Sequence, residues 1–139
     1  MILLSPTNAL CPTNWDEYEN NCYLFNTVGT SWANCKTTCS INQAEMLCIP
    51  NLATMNFVKS AYSSGFVWIG LNDKVTDGTY VWNGNTCYSS YISWSIGQPQ
   101  GSNHDCVAIN GIAGGKMADA PCTSSYYCGC MKAKLPDPP

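Results

Sequence analysis

Arginine is absent from this chain, and histidine occurs once, at His104. The six lysines are scattered from Lys36 to Lys134 without forming a basic run, and the formal charge is −3. Nucleic acid and heparin are held by a concentrated basic footprint, so neither is expected as a partner. No apolar run approaches the ~20 residues that cross a bilayer, and a membrane-spanning chain is not expected. Met1-Ile2-Leu3-Leu4 is too short for a secretory leader and lacks its basic start. The scarcity of histidine also argues against structural zinc. The spacings Cys11…Cys22, Cys35-x-x-x-Cys39 and Cys128-x-Cys130 lack the paired C-x-x-C signature as well.

What the chain has instead is cysteine, ten in 139 residues. An even count at this density points to five bridges, an oxidising compartment and a secreted protein, with no thiol reserved for catalysis. The length suits a single domain with a real core.

Along the chain the pattern changes period. Residues 1–10 carry no periodicity and read as a flexible lead before a domain over 11–132. A prolyl tail, 133–139, follows it. Cys11 to Cys22 frames a hairpin that turns at Glu19-Asn20-Asn21, and Cys22 to Asn26 continues as a strand. Thr30 or Ser31 can cap a helix reaching about Ser40, with Trp32, Cys35 and Cys39 on one face. Asn51 can cap a second helix, with Met55, Phe57, Val58, Ala61 and Tyr62 inward and Gly65 at its end. Phe66–Leu71, Thr79–Trp82, Cys106–Asn110 and Tyr126–Met131 read as strands. Residues 83–105 are rich in Asn, Ser, Gly and aromatics without alternation, which predicts a long loop of functional kind. Helices followed by strands and a long loop make an α+β domain.

The chemistry concentrates between Gln98 and Cys122. Gln98-Pro99-Gln100 sets a proline between two amides, and Asp105 and Asp119 each lie shortly before a cysteine. If Cys106 and Cys122 are bonded, these carboxylates gather beside the turn, offering oxygens suited to hard cations and to sugar hydroxyls. Asp105 and Asp119 could also form a glycosidase-like acid pair, and His104 a general base. No serine or cysteine nucleophile is arranged around His104, and an enzyme is not expected.

Cys-Pro-x-x-Trp at 11–15, Trp32-x6-Cys39, Trp68-Ile69-Gly70-Leu71 and Tyr80-Val81-Trp82-x-Gly84 follow one another in order. After them come Trp94, Gln98-Pro99, Asp105-Cys106 and Asp119-x-x-Cys122-x7-Cys130. The set resembles the C-type lectin-like domain from Cys11 to about Met131. That resemblance implies two helices flanking a twisted antiparallel sheet with a long ligand-binding loop. It implies the bridges Cys11–Cys22, Cys39–Cys130 and Cys106–Cys122, a cis Gln98–Pro99 bond, and packing roles for Trp15, Trp32, Trp68, Trp82 and Trp94.

Sugar-binding members hold calcium with a Glu-Pro-Asn or Gln-Pro-Asp triplet, a following Glu, and Trp-Asn-Asp. The matching positions here are Gln98, Gln100, His104, Ala118 and Asp119, and the segment from Pro99 to Cys106 is about two residues short of many sugar binders. Only Gln98 and Asp119 keep the pattern, so calcium is not expected at the primary sugar position. On that ligand count, Asp119→Ala should cost less glycan binding than replacing Gln98 and Gln100 together. The loop Asn72–Gly78 resembles the family's acidic loop. Asp73, Asp77 and Asp105 form the candidate auxiliary calcium site, although Gly101 stands where a further acid is usual.

The function implied is carbohydrate binding to a glycan or glycoprotein. Gln98, Pro99, Gln100, Asn103, His104 and Asp119 form the turn, and Tyr88 and Tyr91 are free loop aromatics able to face the ligand. The alternative is a non-lectin member that contacts a protein surface, assembles extracellular structure or binds ice. Low charge and abundant Ser, Thr and Asn suit ice, while the placement of Cys35, Cys48, Cys87 and Cys128 differs from that of the ice-binding members. Those four cysteines admit three pairings. Cys35 and Cys39 are one helical turn apart, about 6 Å, and Cys128 and Cys130 are about 7 Å apart on a strand. The matching steps favour Cys35–Cys128 beside Cys39–Cys130, which leaves Cys48–Cys87.

Overall fold

The computed structural model describes residues 11–62, 64–84 and 87–135. The flexible lead expected over 1–10 and the prolyl residues 136–139 lie outside that range. A hairpin of β1 (Asp16–Tyr18) and β2 (Asn21–Thr30) opens the domain. Its tip is tight enough to place Glu19 at φ 55°, and Cys11–Cys22 ties the chain before β1 to β2 close to that tip, where Cys22 pairs with Glu17. Helix α1 (Trp32–Ile41) starts where Ser31 accepts the Asn34 N–H, and it buries Trp32, Cys35 and Cys39. After the short β3 (Glu45–Met46), helix α2 (Leu52–Ala61) starts where Asn51 accepts from Thr54 N. Thr54, Met55 and Val58 are its buried residues, whereas Ala61 turns outward.

The remaining strands are β4 (Phe66–Thr76), β5 (Thr79–Trp82), β6 (Cys106–Asn110), β7 (Met117–Ala120) and β8 (Tyr126–Ala133). They form one sheet in the order β1-β2-β8-β4-β6-β7, with β3 on β8 and β5 on β4. The sheet is mixed: β4 runs parallel to β8 at Val67↔Tyr127 and Trp68↔Cys128, and its other pairings are antiparallel.

Successive residues of a strand face opposite sides, and β4 uses both. Val67, Ile69 and Leu71 join Val107, Ile109, Met55, Val58 and Tyr62 in one core cluster. Trp68 points the other way, into a second cluster with Trp32, Cys106, Ala108 and the α1–β8 cystines. Both buried indoles are satisfied, Trp68 donating to Thr30 O at 2.7 Å and Trp32 to Ile69 O at 2.9 Å. Trp15 packs half-buried on the second cluster, Trp82 and Trp94 on the first. The structure joins Cys35–Cys128 and Cys39–Cys130 side by side, with Cys39 Sγ 4.0 Å from Cys128 Sγ, and joins Cys48–Cys87 and Cys106–Cys122 elsewhere.

Two core phenols carry a pH consequence. Burial pushes Tyr23 up to about 12, partly countered by the Asn21 side chain, and burial likewise raises Tyr62, whose hydroxyl donates to Asn26 O at 2.9 Å. An unfolded tyrosine loses its proton near pH 10 while the folded one keeps it, so the unfolded state gains from ionisation first. Stability is full below about pH 10 and falls between pH 10 and 12, by about 1.4 kcal/mol per group at pH 11. Urea unfolding at pH 9, 10 and 11 should show this decline, and Tyr23→Phe should remove about half of it. A midpoint that stays constant in the parent protein counts against the assignment.

Candidate functional site

The long loop is tied down before it reaches the turn at Gln98. Cys87 is bonded to Cys48, and Ser89 Oγ donates to Ile49 O at 2.8 Å. Further on, residues 93–95 run beside β7: Met117 N donates to Ser93 O at 2.9 Å and Ser95 N to Met117 O at 2.8 Å. The Gln98–Pro99 bond is cis, as the family pattern implies. Beyond it the chain doubles back, with Gly101 (φ 84°) and Asn103 (φ 64°) in the left-handed region and His104 N donating to Gly101 O at 2.8 Å.

Asp119 organises this turn. It lies on β7, only 4% exposed, beneath the loop. Its Oδ1 accepts from Gln100 N and its Oδ2 from Gly101 N, both at 2.8 Å, and Tyr80 Oη reaches Oδ2 at 3.4 Å. His104 Nδ1 stands 3.8 Å from Oδ1, too far for a hydrogen bond. Gln98, Pro99, Gln100, Asn103 and His104 thus belong to one turn closed over the buried Asp119 carboxylate. Gln98 Oε1 and His104 Nδ1 are buried there without a hydrogen-bond partner. Ala118, the position without a side-chain oxygen, pairs with Ala108 in the β6–β7 ladder.

The acidic loop is a second cluster. Ligand atoms of Asp73, Asp77 and Asp105 lie within 4.8 Å of one another. Asp73 is buried, with Oδ2 accepting from Gly78 N at 2.8 Å and Oδ1 lacking a partner. Burial, followed by the charge of Asp73, raises the Asp105 carboxyl above its ordinary value. Burial, then Asp73 and Asp119, raises the Tyr80 phenol as well. The group is three hard oxygen donors crowding one another, a set that a divalent cation would relieve.

The two loop tyrosines are not placed together. Tyr91 folds half-buried against the first core cluster. Tyr88, 89% exposed, lines a separate cavity with Cys48, Pro50 and Met131. Tyr80, marked in the sequence only as part of a strand and of the Tyr80-Val81-Trp82-x-Gly84 motif, is a neighbour of the turn that sequence reading missed. Its side chain meets Asp119 across 39 positions, and no local signal announces that. A third geometric cluster, Cys35, Cys39 and Cys128, consists of disulfide sulfurs and offers no thiolate.

A mixed sheet with two helices, five bridges and a tethered loop presenting oxygen ligands defines a disulfide-rich binding module. Residues 28–132 match the model of the lectin C-type domain, and the chain belongs to that family. Its domains are binding modules, not enzymes. Human C-type lectin domain family 10 member A is 30% identical over 134 residues, covering 91% of this chain and 41% of the relative. Mouse asialoglycoprotein receptor 2 is 33% identical over 132 residues, covering 89% and 42%. The chain thus spans about two fifths of the length of these relatives. Among solved structures, a calcium-dependent type II antifreeze protein in its calcium-free form superposes with a TM-score of 0.81 at 28% identity. The match covers 88% of this chain and all of that one. Among the described residues no helix is long and apolar enough to cross a membrane.

Proposed function

We propose that this chain is an extracellular, secreted carbohydrate-binding module that reads its glycan with the 98–104 turn and needs no calcium at Asp119. The observation that carries this reading is the engagement of both Asp119 oxygens by backbone N–H groups. A carboxylate that already closes the loop has little left to offer an ion, and His104 supplies nitrogen where a hard cation prefers oxygen. The exposed side-chain amides of Gln100 and Asn103 can exchange hydrogen bonds with vicinal hydroxyls. The asialoglycoprotein receptor relatives make a glycan or glycoprotein the favoured partner.

Calcium fits the other cluster better. Asp73, Asp77 and Asp105 would hold it, because the orphaned Asp73 Oδ1 and the close carboxylates answer its need for charge and oxygen. The ion would neutralise their repulsion and brace the β4–β5 turn.

A glycan array in calcium and in chelator tests the reading. Binding should survive the chelator, while calcium at 100 times its dissociation constant should stabilise the fold by about 2.7 kcal/mol in thermal unfolding. Asp77→Asn should remove the thermal shift and spare glycan binding. Loss of glycan binding in chelator, restored by calcium, overturns the proposal. The likeness to the antifreeze protein supports ice binding as a second reading. Thermal hysteresis without glycan binding would select it.

A further inference from the structure

Far from the Gln98 turn in sequence, a cavity of about 940 Å³ opens between the β1–β2 tip, β3, the first turn of α2 and the end of β8. Its lining is largely apolar, including Tyr23, Met46, Pro50, Ala53 and Met131. The outer wall is Tyr88, held there by Cys48–Cys87 on one side and by the Ser89–Ile49 hydrogen bond on the other. The backbone is thus tied down on both sides of Tyr88, whose ring is 89% exposed.

The ionic side chains around the cavity are mostly held in place, Lys132 by neutral partners that leave its positive charge. Lys132 donates to Asn42 O at 3.0 Å and sits 4.5 Å over the Trp15 ring, and Lys134 pairs with Glu17. Glu45 is packed so closely against Gly84 that a Cβ there would strike its carboxylate. At the α2 end, Asn51 already accepts the Thr54 N–H. Glu19 is different. It stands at the hairpin tip on the cavity's edge, makes no ion pair among the described residues, and neighbours the Tyr18 and Tyr23 phenols.

We propose that this cavity is a second ligand site, separate from the 98–104 turn, which takes a small organic cation: an ammonium group carried on an aromatic or aliphatic body. Pockets of this size with an apolar floor and few polar groups are the usual seats of small ligands. The floor of methionine and tyrosine accepts the body, and methionine adapts to its shape. The faces of Tyr88 and Tyr18 attract the cation through their ring quadrupoles, and Glu19 supplies the counter-charge. A polyhydroxyl ligand would leave most of its hydroxyls facing carbon and sulfur, which costs desolvation without repayment.

The proposal extends beyond carbohydrate binding and is tested apart from it. Phenylbutylammonium and its neutral counterpart phenylbutanol are titrated into the full chain in chelator, with backbone amide shifts followed by NMR. The ammonium should move amides of Glu19, Met46, Ala53, Tyr88 and Lys132, and bind more tightly than the alcohol. Glu19→Gln should weaken the ammonium about two- to fivefold and leave the alcohol unchanged. Tyr88→Ala, a surface change that does not threaten folding, should weaken the ammonium by a similar factor. Equal affinity for both probes, shifts centred on Gln98–His104, or no shift at millimolar concentration each overturns the proposal. Failure of glycan binding bears only on the turn and leaves this result intact.

Discussion

Removing both α1–β8 bridges together, with Ala at Cys35, Cys39, Cys128 and Cys130, is expected to unfold the domain at body temperature. Removing either one alone is expected to leave it folded. The two bridges link the same helix to the same strand across separations of 93 and 91 residues. On a chain-entropy account, the first to form closes a long loop and contributes about 4.6 kcal/mol. Once it exists, the second closes a ring of only about six residues and adds about 2 kcal/mol. Either pair alone should therefore cost about 2 kcal/mol and the quadruple change about 7, close to the whole stability of a typical domain. The emptied sulfur sites deepen the loss, because all four cysteines are buried in the second core cluster. Calorimetry on the two double variants and the quadruple variant measures this non-additivity. Two single-bridge losses of 4 kcal/mol or more each, or a quadruple variant that melts like the parent, would refute the shared-loop account.

Asp119→Ala should abolish glycan binding and loosen the turn at the same time. The substitution removes the acceptor of two backbone N–H groups, and each stranded donor costs about 1–3 kcal/mol. Ligand counting alone makes Asp119 a leftover metal ligand whose loss matters less than that of Gln98 and Gln100. The hydrogen bonds reverse the order. Gln98→Ala with Gln100→Ala should reduce binding while the turn stays closed, because the Gln100 N–H that Asp119 holds belongs to the backbone. Hydrogen exchange at the Gln100 and Gly101 amides separates the cases: fast in Asp119→Ala, slow in the double glutamine variant. An Asp119→Ala protein with protected amides and parental glycan binding would remove Asp119 from its role.

Much of the scaffold was legible along the chain because its causes are local. Ser31 and Asn51 cap the helices through bonds three residues long, and Trp32, Cys35 and Cys39 share a face by helical period. The apolar run at 66–71 reads as a strand, although burial extends through Asp73 because other strands cover both edges of β4. The cis Gln98–Pro99 bond was implied by the family resemblance, whose motifs run from Cys11 to about Met131.

Residues acting across the fold were not legible. Met117–Ala120 holds two alanines and an aspartate, poor strand formers, and becomes β7 only because β6 offers it a ladder. Tyr88 and Tyr91 look alike in the loop, yet the Cys48–Cys87 bond sends one to a cavity wall, and packing takes the other into the core. The acidic trio drew its candidates from sequence, but only folding left Asp73 Oδ1 buried and unpartnered. What the amino-acid order determined by itself is most of the elements and the oxygen-rich turn, since these rest on periodicity, capping and turn residues between near neighbours, whereas the bridges Cys11–Cys22, Cys39–Cys130 and Cys106–Cys122 were implied by the family resemblance. Tertiary structure alone brought the Asp119 carboxylate to the loop. Its partners lie 18 and 19 residues away, and the packing of β7 under the turn brings their N–H groups within 2.8 Å of the carboxylate.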